Sequence, residues 1–210
     1  MILLYCFVNL NAQKEPNIKL KVEAGLNWKL AEKDIINHWD WSLHFSLEPK
    51  LKTSKKTFIG LRIQASENEP FNEKYKPTQF FIDNNINISF LEATPTTLIS
   101  FVPTFDYYFS KNRFKPYLGV GIGYYFLTTS KDVLVFGASF DDELETSADN
   151  PVGFLIRGGL EMGKLSFGLE FNYLLEADIK IPSGLIIGTV DDSFIAVSIG
   201  YSIGNSKRLK

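Results

Sequence analysis

Apolar and polar residues alternate along most of this chain with a period of two. From Ile18 to Leu30 every even position is apolar (Ile18, Leu20, Val22, Ala24, Leu26, Trp28, Leu30), while the odd ones are Lys19, Lys21, Glu23, Gly25, Asn27 and Lys29. Successive side chains of a strand point to opposite faces, so this pattern predicts a two-faced β-strand and not a helix. The same alternation sets Trp41, Leu43, Phe45 and Leu47 against Ser42, His44, Ser46 and Glu48, and Ile59, Leu61, Ile63 and Ala65 against Gly60, Arg62, Gln64 and Ser66. It recurs over 99–109, 118–126, 153–161, 165–173 and 195–203. Eight strands are therefore predicted, each near the ~9 to 11 residues that cross a bilayer when tilted. Ile82, Ile86, Ile88 and Phe90 leave room for a further pair, which would make ten.

The connections alternate in length. Lys50 to Lys56, Ser110 to Lys115 and Met162 to Lys164 read as tight turns, whereas 30–40, 66–97, 130–150 and 176–192 are long. Short turns at one end and long loops at the other describe a single up-and-down antiparallel barrel of the outer-membrane kind. With no linker, low-complexity tract or repeat, residues 13–210 form one barrel domain. No apolar run approaches the ~18 to 20 residues of a spanning helix, so any membrane crossing is made by strands.

Alternation alone fits a membrane barrel and a soluble lipocalin-like carrier equally, because the two differ in which face points inward. Three features favour the membrane, the third being the uneven distribution of charge between the two ends described below. Gly25, Gly60, Gly119, Gly121, Gly123, Gly159, Gly168 and Gly200 all fall on the polar face, where glycine weakens a water-facing sheet but makes room inside a narrow barrel. Trp28, Trp41, Tyr107, Phe109, Tyr124, Tyr173 and Tyr201 lie on the apolar face towards strand ends, where interfacial girdles sit.

Composition removes other classes. Hydrophobic residues make up 45% of 210 and charged residues 22%, too apolar for a disordered chain. A net charge of -2 argues against a nucleic-acid partner. Cys6 is the single cysteine, which excludes a disulfide framework and a cysteine-based zinc site. His38 and His44 are the only histidines. Residues 1–12 (MILLYCFVNLNA) form an apolar run with Ala12 as the small residue before a cleavage point, an export leader lacking the usual positive start, since the first basic residue is Lys14.

Charge is also distributed unevenly. The short turns and the C-terminal tail hold Lys50, Lys52, Lys55, Lys56, Lys111, Arg113, Lys115, Lys164, Lys207, Arg208 and Lys210 with no acidic residue, while 18 of the 24 acidic residues fall in the long loops. Near-neutrality conceals a dipole of charge along the barrel.

Thr104 to Phe126 (TFDYYFSKNRFKPYLGVGIGYYF) resembles the strand, turn and strand of small bacterial outer-membrane barrel proteins, the group that includes OmpW-like and OmpA-barrel-like families. The matching elements are Tyr107, Tyr108 and Phe109 closing one strand, the basic turn, then Pro116, Tyr117 and Gly119, Gly121, Gly123 opening the next. The resemblance extends over nearly the whole chain after Gln13. It implies a monomeric barrel of the bacterial outer membrane, with outer-membrane lipids and lipopolysaccharide as its surroundings and, for an OmpW-like member, a mouth for a small apolar solute. Many such proteins end on an aromatic residue, whereas Tyr201 and Ile203 are here followed by GNSKRLK, so an assembly signal is expected internally at Tyr201.

The polar face carries Lys21, Arg62 and Arg157 with Glu23, Glu48, Asp106, Glu161 and Glu170. An eight-stranded lumen is only wide enough for side chains, so these charges are expected to pair and plug it. Ser42, His44, Ser46 and Glu48 share a face at spacings of two, but no GxSxG or comparable motif supplies a nucleophile with an oxyanion site. The acidic run Asp141, Asp142, Glu143, Glu145 and Asp149 lacks the spacing and glycine of an EF-hand loop. Alternate glycines at 119, 121 and 123 share one strand face and read as lumen packing, not as a phosphate cradle. Val133 to Phe136 and Leu185 to Ile187 could extend strands above the bilayer or form an apolar mouth. The expected role is non-enzymatic and cofactor-free, structural or ligand-binding, with a narrow channel and a soluble lipocalin-like carrier as alternatives.

Overall fold

A computed structural model of the chain describes residues 18–30, 41–68, 76–83, 87–90, 96–128, 131–137, 140–181, 183–190 and 193–204. The expected export leader lies outside these residues, as does Ile86. In chain order the strands are β1 (Ile18–Lys29), β2 (Trp41–Lys52), β3 (Thr57–Asn68), β4 (Lys76–Pro77), β5 (Asn87–Phe90), β6 (Thr96–Tyr108) and β7 (Phe114–Thr128). They continue as β8 (Lys131–Gly137), β9 (Phe140–Ala148), β10 (Val152–Met162), β11 (Leu165–Leu174), β12 (Ala177–Lys180), β13 (Ile186–Val190) and β14 (Phe194–Ile203). A short helix, α1 (Gln79–Asp83), lies between β4 and β5.

Eight of these strands close a barrel in the order β1-β14-β11-β10-β7-β6-β3-β2, every neighbour antiparallel. Closure matters physically, because hydrocarbon offers no hydrogen-bond partner to a free strand edge. Trp28 sits opposite Trp41 at the loop end, and Tyr107 meets Phe109 edge to face at 5.3 Å at the turn end, so both rims of the apolar band carry aromatic side chains.

The apolar face points outward. Phe45 is 65% exposed and Leu118 56%, while Lys21 and Arg62 on the opposite face are 0% exposed. A soluble carrier needs the reverse arrangement, and that alternative is excluded. No helix among the described residues is long and apolar enough to cross a membrane.

Two expectations about the connections are corrected. The first short turn does not start at Lys50: β2 runs on to Lys52, and Lys50 shares the inward face with Glu48 and is fully buried. Pro49 obscured this in the sequence. It faces outward and interrupts the β2–β3 ladder only between Leu47↔Ile63 and Lys50↔Gly60 without shifting its register. Three of the long connections read as loops, 66–97, 130–150 and 176–192, contain strands of their own, in a second sheet ordered β4-β13-β12-β9-β8-β5, while 31–40 lie outside the described residues. Ile88 and Phe90 therefore belong to β5, which pairs with β8 outside the barrel, and the barrel count stays at eight. Val133 to Phe136 and Ile186 to Ile187 lie in strands of this second sheet.

Strands β12 and β13 bring Ala177, Ile179, Ile187 and Val190 against Leu98, Val102, Tyr125, Leu127, Leu155, Leu174, Phe194 and Ala196 of the barrel interior. The loop end of the lumen is thus an apolar core that β12 and β13 pack against.

The outward apolar face yields a direct test. Val120, midway along β7, is 53% exposed. Val120→Arg should lower the unfolding free energy in lipid vesicles by about 2–4 kcal/mol, the cost of a cation on a lipid-facing strand at the midplane. A urea titration followed by the heat-sensitive gel mobility of the folded barrel reads this out; a soluble fold would tolerate the change.

Candidate functional site in the barrel lumen

Inward-facing residues below the apolar core are polar, and they pair in layers. Nearest the short turns, Lys19 forms an ion pair with Glu161 and donates to the Tyr108 hydroxyl at 3.0 Å, and Tyr108 in turn donates to Glu161 at 2.6 Å. The Tyr108 ring stacks on Tyr117 with centroids 5.3 Å apart. These two tyrosines are direct partners across β6 and β7.

The next layer is centred on Arg157. Its Nε and Nη2 donate to the two Asp106 carboxylate oxygens at 2.9 and 2.8 Å, and its Nη1 and Nη2 donate to Glu48 at 3.0 and 2.5 Å. One guanidinium is thus held by two carboxylates through its planar fork. Lys50 pairs with Asp106 and approaches Glu48 at 3.5 Å. Thr104 donates to Glu48 at 2.6 Å.

Above this, Lys21 pairs with Glu23 at 2.7 Å and donates to the Tyr117 hydroxyl at 3.1 Å. Ser198 donates to Glu23 at 3.2 Å. Arg62 pairs with Glu170 at 2.7 Å. Glycine provides the clearance for these contacts. A Cβ at Gly119 would lie 2.0 Å from Asp106 Oδ1 and 3.0 Å from Arg157 Nε, and one at Gly123 would lie 2.2 Å from the Phe101 carbonyl oxygen.

All eight residues singled out from the sequence are buried in the lumen. Glu48, Asp106 and Arg157 form one cluster, Lys21 joins Glu23, Arg62 joins Glu170, and Glu161 stands apart at the turn end with Lys19. Sequence reasoning missed Lys19, Lys50, Tyr108 and Tyr117. Counting parity through Pro49 would have placed Lys50, and the doublets Tyr107–Tyr108 and Pro116–Tyr117 mark where a large side chain enters the polar face. With Lys19 and Lys50 included, the described lumen holds five cations and five carboxylates: Lys19, Lys21, Lys50, Arg62 and Arg157 against Glu23, Glu48, Asp106, Glu161 and Glu170.

Between the ion pairs and the apolar core lies a belt containing His44, Gln64, Ser66 and Ser100, whose side chains are buried and bond no protein group. Groups of this kind are ordinarily satisfied by ordered water. Neither His44 nitrogen meets a serine or a carboxylate, and Glu48 is engaged by Arg157 and Thr104, so the four-residue face containing Ser42 does not assemble a nucleophile and base. No group of three or more potential metal ligands occurs among the described residues. Of the acidic run, Asp141 to Glu145 belong to β9, and their side chains lie outside the described part of the molecule. Asp149 accepts a hydrogen bond from Lys180, which raises the pKa of that ammonium above its ordinary value.

Comparison with solved structures bears on the architecture. Neisserial surface protein A superposes with a TM-score of 0.52 over 91% of this chain and 100% of its own, at 11% identity. The fold is that of the small bacterial outer-membrane β-barrels. Also similar are the outer membrane protein OprG from Pseudomonas aeruginosa (TM-score 0.47, 13% identity, 91% and 99% of the two chains) and the outer membrane enzyme PagL (0.45, 16%, 89% and 99%). No protein-family model matches the chain, and no curated protein matches it significantly. Fold does not carry function, so the role rests on the lumen and the loop-end sheet.

Two substitutions test the packing of the charge cluster. Arg157→Met should cost about 3–5 kcal/mol by stranding two buried carboxylates. Combined with Asp106→Asn and Glu48→Gln it should cost clearly less than the three single losses added together, as a urea-titration cycle in vesicles would show. Gly119→Ala should destabilise by roughly 1–3 kcal/mol through overpacking. In an Asp106→Ala background, where the obstructing carboxylate is gone, most of that loss should disappear.

Proposed function

We propose that this protein is a closed, non-enzymatic barrel of the bacterial outer membrane, with the short turns in the periplasm and the second sheet outside. Its role is structural, with the loop-end sheet as the surface offered to the exterior, and export depends on a leader within residues 1–12. The observation that carries this reading is the filling of the lumen along its length: ion pairs from Lys19 to Glu170, then the polar belt, then the apolar core beneath β12 and β13. An eight-stranded interior has no width to spare for a conduit beside these side chains.

Passage of a small or apolar solute, the role an OmpW-like relationship would imply, is the second reading. It would require the contacts of Ile179 and Ile187 with the barrel wall to part. Leu175, Leu185 and Ile186, all exposed beside that core, are what favour a loop-end apolar mouth.

Planar-bilayer recording of the refolded protein separates the two. The closed barrel should give no unitary currents at any holding potential that leaves the bilayer intact, and deletion of 177–190 should leave the charge cluster still blocking ions. Stepwise conductance in the intact protein that changes in Arg62→Ala would establish a channel and end the structural reading.

A further inference from the structure

Every charged residue of the three short turns is basic, and these cations stand at the edge of the apolar band. The β2–β3 connection carries Lys55 and Lys56 with Lys52 at the end of β2, the β6–β7 connection carries Lys111 and Arg113 with Lys115 in the first residues of β7, and the two-residue β10–β11 turn carries Lys164. No acidic residue lies in 50–57, 109–115 or 162–165. The turn-end carboxylate closest to these segments, Glu161, is buried and taken by Lys19 and Tyr108. These cations therefore have no internal counter-charge within their own turns.

Two of them show at what height this end sits. Lys56 lies 5.6 Å from the Tyr107 ring centroid and donates to its hydroxyl at 3.3 Å, and Lys164 lies 5.6 Å over Tyr201. Both tyrosines belong to the outward aromatic rim, and Phe109 and Phe114, beside the second turn, are outward and more than half exposed. An aromatic rim marks the lipid headgroup level, so ammonium groups laid against it are at headgroup height. A ligand in bulk water would be met by projecting tips alone. The loop end has the opposite charge, with acidic residues concentrated in 66–97 and 130–150.

We propose that the turn end is a binding surface for anionic phospholipid headgroups of the leaflet it faces, and that it ties the barrel to negatively charged lipid on that side only. The inference rests on the membrane placement proposed for the barrel. Each Lys or Arg within a Debye length of an anionic surface adds to the attraction, and several acting together select charged over zwitterionic lipid.

The test uses the full-length barrel folded into phosphatidylcholine vesicles, or into vesicles with a quarter of that lipid replaced by phosphatidylglycerol. The folding equilibrium constant from urea titration should rise roughly tenfold or more with the anionic lipid at low salt and lose that gain at high salt. The set Lys55→Gln, Lys111→Gln, Arg113→Gln and Lys164→Gln, all exposed positions, should abolish the gain. The charge-keeping set Lys55→Arg, Lys111→Arg, Arg113→Lys and Lys164→Arg should retain it. Equal constants in the two lipids, a gain that survives the neutral set, or the same gain from inorganic phosphate added to zwitterionic vesicles would overturn the proposal. Failure to enter either vesicle as a heat-modifiable species would instead count against the membrane barrel itself.

Discussion

Everything in this molecule follows from enclosing ten charges in a cylinder too narrow to hydrate them freely. Eight strands leave an interior that side chains fill, and an isolated ion there carries a large desolvation penalty. The lumen answers with five cations and five carboxylates in contact, Arg157 bridging Asp106 and Glu48 while Lys50, Lys21, Arg62 and Lys19 each meet a carboxylate. A buried pair is weak evidence for net stability, since an apolar pair of equal volume does as well. Its value lies in geometry, because only one strand register brings Arg157 opposite Gly119 and beside Glu170.

The lumen changes character along its axis. At the turn end the ion pairs lie among tyrosines and glycines, and at the loop end Leu98, Val102, Leu127, Leu155 and Leu174 form a core continued by the second sheet. The barrel interior thus has two filled regions of different chemistry. The charged one is polar and directional, while the apolar one depends on β12 and β13 staying in place. This division explains why the loop-end connections are folded: an apolar interior open to water would be uncovered without them.

Much of this was legible in the period-two pattern. Strand count and the grouping of the eight lumen charges on one face follow from parity, as Lys21, Glu23, Gly25 and Asn27 illustrate; that this face points inward needed the glycines on it and the aromatic residues opposite as well. Two kinds of residue escaped. Lys50 was hidden behind Pro49, whose usual meaning as a strand breaker does not hold when a neighbouring ladder keeps its register across it. The loop-end core was hidden because alternation fails where both faces are apolar, in Tyr124–Leu127, Phe154–Ile156 and Phe194–Val197. Such runs are as much a signal as alternation, marking where a strand passes from a polar lumen to an apolar one. The second sheet was signalled only in part: Val133 to Phe136 and Leu185 to Ile187 stood out as apolar, but pairings such as β4 with β13 and β5 with β8 join separate connections and leave no local pattern.

The proposed closed lumen would keep its interior side chains out of reach of solutes in either compartment. Single cysteines at Ser46 and at Thr104, both buried in the interior, report on this directly in a Cys6→Ser background. In folded protein in vesicles, a membrane-impermeant maleimide should leave both thiols unmodified whichever way the barrel is inserted, and should label them fully once urea unfolds the chain. Labelling of either position in the folded state at the rate of a free thiol would mean that water and solutes run through the barrel, and would contradict a closed lumen.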